Sequence, residues 1–218
     1  MSQHRTGTVA FKTAVFTNLT QDHLDYHGDM ENYFSAKRKL FDEFLDQSGC
    51  AIINTDDSYG EKLFKSLQNS NTVSVGKSAD CDYRISAIKH GKTGSSFTLS
   101  GKDKNLKLQT RLCGDFNIYN TALAVAAAWQ TGVSDEAIQK ALESFPGVPG
   151  RLEMFSSSTG LRVFVDYAHT PDALEKALVS IKDLGENLYC IFGCGGDRDK
   201  SKRPLMAQAA EQFADKIW

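Results

Sequence analysis

The spacing of apolar residues predicts alternating strands and helices in the first part of the chain. The apolar runs 13–17 and 50–53 are typical of short buried strands. Between them, apolar side chains recur at helical spacing from Met30 to about Asp46, and Asp29 is placed to cap that helix. A further helix and a strand at 72–75 follow the turn at 54–57. Strands that alternate with helices favour a parallel sheet.

The period changes to two between residues 83 and 112, where apolar and polar positions alternate across turns at 91–94 and 101–105. This pattern predicts a small antiparallel patch. An alanine-rich segment at 116–131, closed by Gly132, and a segment from Ser134 to Phe145 are typical of two helices.

Two prolines and two glycines between residues 146 and 150 mark a domain junction. We therefore predict an α/β protein with one domain at 1–148 and a second at 149–218. The second domain should contain a strand at 161–165, a helix capped by Thr170, a strand at 188–192 and a helix at 204–213, again around a parallel sheet. Residue 218 falls in what resembles the next strand, so we expect this domain to be incomplete.

The composition is that of an ordinary globular protein, with 41% hydrophobic and 24% charged residues and a net charge of -2. Basic and acidic residues are mixed along the chain, and no apolar run approaches about 18 residues. We therefore expect a cytoplasmic protein without a nucleic-acid or membrane partner. Its five cysteines form no CxxC pair, so buried reduced thiols are expected rather than disulfides or structural zinc.

The segment after the first strand gathers two histidines and two carboxylates at Asp22, His23, Asp25 and His27. Such a cluster suits a divalent metal and the phosphates that it bridges. The alternative is a polar loop whose histidines bond to the backbone.

Lys37 lies on the apolar stripe of its predicted helix, four residues after Tyr33 and four before Phe41. Burial disfavours a charged lysine, and a neutral amine is a nucleophile. The alternative is a lysine whose ammonium group reaches solvent past the apolar stripe.

Asn117 and Asn120 lie one turn apart near a helix start, where their amides could face one ligand or simply cap the helix. Asp166 and His169 follow a predicted parallel strand, as does the Asp197–Asp199 stretch, and open α/β sheets bind ligands at that end. The alternatives for these residues are a polar loop without a ligand and helix capping. The motif Gly76-Lys77-Ser78 ends like a phosphate-binding P-loop, but Asn71 stands where that motif needs glycine, so we interpret it as a turn.

Six motifs, in order along the whole chain, resemble those of the Mur ligase family, and within it the UDP-MurNAc-tripeptide synthetases. They are the segments FTNLTQDHLDYHG at 16–28, AK at 36–37, GDFNIYN at 114–120, GRLE at 150–153, DYAHTPD at 166–172 and GGDRD at 195–199. The resemblance implies part of a central ATPase domain, with a parallel sheet and a small antiparallel one, followed by the first half of a Rossmann-like C-terminal domain.

The resemblance also implies a reaction in cell-wall precursor synthesis. ATP would convert a carboxylate of UDP-MurNAc-L-Ala-D-Glu into an acyl phosphate, which the amine of a diamino acid, expected to be meso-diaminopimelate, attacks. It implies that His23, and Lys37 as a carbamate, hold Mg²⁺. Gln3 and Arg5 would contact the UDP-MurNAc-peptide, and Arg198 would contact the amino acid. The residues expected to contact ATP are Asn117, Asn120, Arg151, Asp166 and His169. A monomer acting on small molecules is expected.

The chain departs from the family pattern, because the uridine-binding domain, the P-loop and the Asp-Asn-Pro-Arg motif that selects the amino acid have no counterpart in it. We therefore expect the 218 residues alone to be inactive. Two other functions are considered: a metal-dependent hydrolase that uses the cluster at 22–27, and a non-catalytic nucleotide-binding module.

Overall fold

The computed structural model describes residues 7, 9–21, 24–67, 71–195 and 202–218, with no account of the side chains of residues 24 and 25. In this part of the chain the strands are β1 (Phe11–Phe16), β2 (Leu45–Asn54), β3 (Thr72–Gly76), β4 (Tyr83–Gly91), β5 (Gly94–Gly101), β6 (Lys104–Thr110), β7 (Glu153–Ser156), β8 (Arg162–Val165), β9 (Tyr189–Cys190) and β10 (Lys216–Ile217). The helices are α1 (Leu24–His27), α2 (Met30–Asp42), α3 (Ser58–Ser66), α4 (Asp115–Gln130), α5 (Asp135–Ser144), α6 (Pro171–Ile181) and α7 (Lys202–Phe213).

The chain divides into two compact units. Unit 1 comprises Met1–Lys89, Ser96–Gln109 and Tyr119–Glu143, and unit 2 comprises His90–Ser95, Thr110–Ile118 and Ser144–Trp218. Among the residues described, no helix has the length and apolar character that a membrane crossing requires.

A six-stranded sheet in the order β1-β2-β3-β4-β5-β6 confirms the predicted α/β class. The pairs β1–β2, β2–β3 and β3–β4 are parallel. Residues 50–53 of β2 are almost completely buried, as expected of an interior parallel strand with both faces covered. The predicted antiparallel patch corresponds to β4, β5 and β6. Lys102 and Asp103, between β5 and β6, both have positive φ, which is the backbone conformation of a tight hairpin turn.

The core of unit 1 lies where α2 and α3 pack on this sheet, and its buried members include Phe16, Phe34, Phe41, Ile53 and Leu63. Asp29 caps α2 as predicted, since its Oδ1 accepts a hydrogen bond of 2.7 Å from the Asn32 N–H. The predicted end of this helix was wrong, because the helix stops at Asp42 and Leu45 already belongs to β2. The carbonyl of Phe44 accepts from the Phe11 N–H, so pairing with β1 prevails over the local helical pattern.

Unit 2 contains two small two-stranded sheets among its described residues. Strands β9 and β10 are parallel, whereas β7 and β8 are antiparallel. Strand β7 was not predicted. The expectation that the strands near 161–165 and 188–192 share one parallel sheet was wrong for the described residues, where β8 pairs with β7 instead.

The core of unit 2 forms between α6, α7 and β9 around Leu174, Leu178, Met206 and Ala210. The predicted cap of α6 is confirmed, because Thr170 Oγ1 accepts from the Ala173 N–H at 3.2 Å and Pro171 takes the first helical position. A second cluster joins Cys113, Leu152 and Ala177, and it supports the Arg151–Leu152 turn described below.

Candidate functional site

Polar groups collect at the carboxyl ends of the parallel strands in unit 1, where open α/β sheets bind ligands. Asn54, the last residue of β2, donates from Nδ2 to the Thr17 carbonyl at 2.8 Å, which joins the ends of β1 and β2. Asp57 caps α3 by accepting from the N–H groups of Tyr59 and Gly60. A Cβ on Gly60 would lie 1.9 Å from the Asn54 carbonyl oxygen, so only glycine allows α3 to begin this close to β2.

Asp56 lies in the same turn but makes different contacts. Its Oδ2 accepts from the Lys77 N–H at 2.8 Å and from the Tyr119 hydroxyl at 2.6 Å. The Lys77 ammonium lies 5.4 Å from the centre of the Tyr119 ring. The end of β2, the residue after β3 and helix α4 therefore meet at one carboxylate.

The Gly76-Lys77-Ser78 segment ends β3 and enters a bend, which agrees with its interpretation as a turn rather than a phosphate loop. A Cβ on Gly76 would lie 2.7 Å from Asp56 Oδ1, so this glycine makes room for the carboxylate.

Of the two interpretations of Lys37, the structure supports the lysine whose ammonium group reaches solvent rather than the buried amine. Tyr33, Phe34 and Phe41 on the same helix are buried, but the Lys37 side chain is exposed and its ammonium lies 5.3 Å from the centre of the Tyr33 ring. Helical periodicity identifies the side of a helix on which a residue lies, but it does not show whether another element covers that residue. The desolvation argument for a reactive Lys37 amine therefore fails for the described chain, and the role implied by the resemblance has to stand without it.

His23 and Asp22 of the proposed metal cluster lie outside the described residues, as do Gln3, Arg5 and Arg198. His27 is described, and its ring stacks on the Tyr33 ring at 4.8 Å between centres. Among the described side chains, no group of three or more His, Cys, Asp or Glu residues could hold a metal ion.

In unit 2, two of the residues matched to ATP contacts, Arg151 and His169, lie against one aromatic ring. The guanidinium carbon of Arg151 lies 4.8 Å from the centre of the exposed Tyr167 ring. The His169 ring packs edge-on against Tyr167, with 5.2 Å between the ring centres, and His169 Nδ1 is 3.0 Å from the Tyr167 carbonyl oxygen. Stacking uses the face of a guanidinium and leaves its in-plane N–H groups directed outward, where they suit phosphate or carboxylate oxygens.

Asp166 supports this group through the backbone. Its Oδ2 accepts a 2.7 Å hydrogen bond from the Leu152 N–H, directly after Arg151. Leu152 has φ of 48°, in the left-handed region that a leucine seldom adopts, and its side chain is buried against Cys113 and Ala177. The Asp166 carboxylate therefore holds the strained turn that presents Arg151 to Tyr167.

The start of α4 is fixed by side chains on its own N-terminal side. Asn117 is buried and donates from Nδ2 to the Cys113 carbonyl at 2.8 Å, which ties the first helical turn to the preceding loop. Asp115 in the same turn pairs with His90 Nε2 at 2.8 Å, and a carboxylate is favourable at a helix N-terminus. Asn120, by contrast, is exposed. Asn117 thus has a structural role, and Asn120 is accessible to a ligand.

Of the cysteines expected to be buried thiols, Cys50, Cys113 and Cys190 are buried, whereas Cys81 and Cys194 are only half-buried. All five are free, and burial raises the pKa of Cys50, Cys81, Cys113 and Cys190 above that of an ordinary thiol. These raised values argue against a nucleophilic role for those four thiols, because the reactive form is the thiolate.

Asp82 has a lowered pKa. Burial alone would raise it, but hydrogen bonds from the Ser74 N–H and hydroxyl, both 2.8 Å long, and from Lys102 outweigh that effect. This network joins the ends of β3 and β4 and is structural.

Sequence reasoning missed Tyr167, Asp56 and Tyr119. Tyr167 could have been found as an aromatic residue between two polar candidates at a strand end. Asp56 also follows a strand, which is the signal that singled out Asp166. The contact between Asp56 and Tyr119 joins residues 63 positions apart and required the tertiary structure.

Comparison with protein families identifies both parts of the chain. The Mur ligase middle domain matches residues 1–128, and the Mur ligase glutamate ligase domain matches residues 150–218.

Three curated relatives carry the name UDP-N-acetylmuramoyl-L-alanyl-D-glutamate–2,6-diaminopimelate ligase. The protein of Syntrophomonas wolfei is 44% identical over 97% of this chain and 43% of its own length. Those of Synechococcus elongatus and Haemophilus influenzae are 42% and 43% identical over the whole chain and 44% and 45% of their lengths. The chain thus spans less than half of the relatives that it matches.

A solved structure of such a 2,6-diaminopimelate ligase is 37% identical and superposes with a TM-score of 0.70, covering 94% of this chain and 43% of that one. A crystal structure of MurF from Acinetobacter baumannii is 23% identical, with a TM-score of 0.75 over 95% of this chain and 50% of that one. The second likeness concerns the fold alone.

Proposed function

Because this chain belongs to the Mur ligase family, we propose that it is part of an ATP-dependent amide ligase that adds meso-diaminopimelate to UDP-MurNAc-L-Ala-D-Glu in peptidoglycan precursor synthesis. The observation that carries this proposal is identity of 42–44%, over nearly the whole chain, to three ligases of that name. These relatives also support the expectation, drawn from the resemblance, that the diamino acid is meso-diaminopimelate.

We assign ATP binding to two sets of residues, each on its own unit. In unit 2, Arg151 on the Tyr167 ring would meet the charge of the phosphates, His169 borders the same ring, and Asp166 fixes the Arg151 turn. In unit 1, Asn120 presents an exposed amide. Asn117, which belongs to unit 2, keeps its proposed place near the nucleotide, acting by holding the first helical turn of α4.

The remaining site residues are proposed from the family motifs alone. His23 and Lys37, the latter as a carbamate, would hold Mg²⁺, which supplies charge neutralisation for phosphoryl transfer. Gln3 and Arg5 would contact the UDP-MurNAc-peptide, and Arg198 the incoming amino acid. We further propose a monomer in the cytoplasm, with domains at 1–148 and 149–218.

The metal-dependent hydrolase is not favoured, because it would leave the Arg151–Tyr167–His169 group and the match to two ligase domains unexplained. A nucleotide-binding module without catalysis is what we expect of the 218 residues in isolation. Phosphoryl transfer depends on positioning and charge neutralisation, and the chain contains no P-loop motif to hold the β- and γ-phosphates.

A chimera tests the proposal. In it, this chain replaces the matching 213-residue stretch of the Syntrophomonas wolfei relative. We expect phosphate release that depends on both UDP-MurNAc-dipeptide and meso-diaminopimelate, while the isolated chain stays at background with all substrates. Phosphate release that does not depend on the amino acid would contradict a ligase activity. A clear preference for L-lysine would contradict the proposed substrate.

A further inference from the structure

Asp56 and Asp57 are adjacent in sequence, but local structure explains only one of them. Asp57 caps α3, and its Oδ2 also lies 3.4 Å from the Leu19 N–H. The Asp56 side chain caps no helix within the described residues. It reaches instead to Lys77 after β3 and to Tyr119 on α4, all within unit 1.

The surroundings of Asp56 restrict where its carboxylate can lie. Gly76 leaves room for it, because a Cβ there would lie 2.7 Å from Asp56 Oδ1 and 2.9 Å from Cys81 Sγ. On the other side, the 2.6 Å contact between Oδ2 and the Tyr119 hydroxyl is within the range of a charge-assisted hydrogen bond. The Lys77 ammonium, 5.4 Å from the Tyr119 ring centre, adds a cation on the ring.

Tyr119 immediately precedes Asn120, the exposed amide that we assign to the nucleotide. Both residues lie near the start of α4, and helix ends open locally more readily than helix centres. Ile118 and Ala122 of the same two turns are buried, and the hydrogen bond between Tyr119 and Asp56 holds the less buried side of the helix. A carboxylate that anchors Tyr119 therefore also restricts Asn120.

We propose that Asp56 is a positioning residue for nucleotide binding: it acts through Tyr119 to hold this turn of α4, and with it Asn120, in the binding arrangement. This inference rests on the proposed function, because it takes Asn120 as a contact of ATP. Asp56 itself touches no nucleotide in this scheme, which distinguishes its effect from that of a ligand-binding carboxylate.

The test is a titration of the ¹⁵N-labelled 218-residue chain with the ATP analogue AMPPCP, which detects weak binding through chemical shifts. Tyr119→Phe should weaken the affinity about fivefold, as expected for one hydrogen bond, and Asp56→Asn, which keeps an acceptor oxygen but loses its charge, about twofold. The double variant should be no weaker than Tyr119→Phe alone, since both changes act on the same contact. Amide hydrogen exchange at 119–122 should become faster in all three variants.

A matched control is Glu61→Gln, which changes another exposed carboxylate of unit 1, one that pairs with Lys65 on its own helix α3. It should leave nucleotide affinity and exchange in α4 unchanged. Urea unfolding of every variant separates a loss of positioning from a loss of folding.

The outcomes separate the two proposals. If the wild-type chain binds the analogue and the Asp56→Asn and Tyr119→Phe variants bind it equally well, or if their losses add in the double variant, the positioning role is refuted while nucleotide binding stands. If exchange at 119–122 rises without any change in affinity, the contact is structural only and the inference fails. If the wild-type chain shows no shifts at Asn120, Arg151 or His169, the proposed nucleotide site itself is wrong.

Discussion

Replacing Asp166 with alanine should destabilise unit 2 through the Arg151–Leu152 turn rather than by removing a nucleotide contact. The carboxylate accepts a 2.7 Å hydrogen bond from the Leu152 N–H, and such a bond to a charged group contributes about 1.5–3 kcal/mol. Leu152, with φ of 48°, carries a backbone cost of about 1–3 kcal/mol. The stabilisation by the hydrogen bond and the cost of the backbone strain are similar in free energy. The turn therefore depends on this bond and on the burial of the Leu152 side chain.

We expect Asp166→Ala to lower the free energy of unfolding by about 2 kcal/mol. The Leu152 amide should then exchange its hydrogen about thirtyfold faster, because 1.4 kcal/mol corresponds to a factor of ten. Asp166→Asn keeps an acceptor oxygen and should lose about half as much. The measurements are urea unfolding followed by circular dichroism and amide exchange followed by NMR.

Asp172→Ala provides the control in the same unit. Asp172 pairs with Lys176 one turn along α6, both side chains are more than 40% exposed, and exposed pairs of this kind contribute about 0.5 kcal/mol. If Asp166→Ala left both the unfolding free energy and the Leu152 exchange rate unchanged but weakened AMPPCP binding, the backbone role assigned to Asp166 would be refuted in favour of direct nucleotide contact.

Three further predictions concern other parts of the chain. Asp82→Asn should lower the free energy of unfolding by about 1 kcal/mol at neutral pH. Because the folded-state pKa of Asp82 lies below the ordinary 3.8, its contribution is fully present above about pH 4. The stabilities of wild type and variant, measured by urea unfolding, should converge as the pH falls through the lowered pKa. In the chimera, Lys37→Ala should abolish amide formation without affecting folding, and added acetate should restore part of the rate. The control variant Lys39→Ala should retain activity. Near-normal turnover of Lys37→Ala would show that Lys37 is only a surface lysine. Ellman's reagent should label the buried Cys50 and Cys113 only as fast as the chain unfolds, and rapid labelling of either in the native chain would contradict their burial.

Much of the secondary structure followed from local sequence, because capping and periodicity are local effects. The cap of α2 by Asp29, the Thr170–Pro171 start of α6 and the end of α4 near Gly132, which has φ of +81°, were all predicted correctly. The parallel order of the first strands also followed, since strands that alternate with helices have few other ways to pair.

Features that depend on distant partners were not predictable from the sequence. Phe44 and Leu45 continue a helical pattern in the sequence, but in the structure they pair with β1. Strand β7 likewise forms by pairing with β8. Whether these segments form strands depends on a partner strand that is distant in sequence, so the local pattern cannot show it.

The candidate site divides in the same way. Motif spacing was enough to identify the family and to single out Arg151, Asp166 and His169 as candidate site residues. Only the tertiary structure showed that Arg151 and His169 meet at Tyr167, that Asp166 bonds to the backbone and that Lys37 is exposed. The physical reason is that a motif specifies which chemical groups are present, whereas burial and hydrogen bonding depend on which other parts of the chain pack against them.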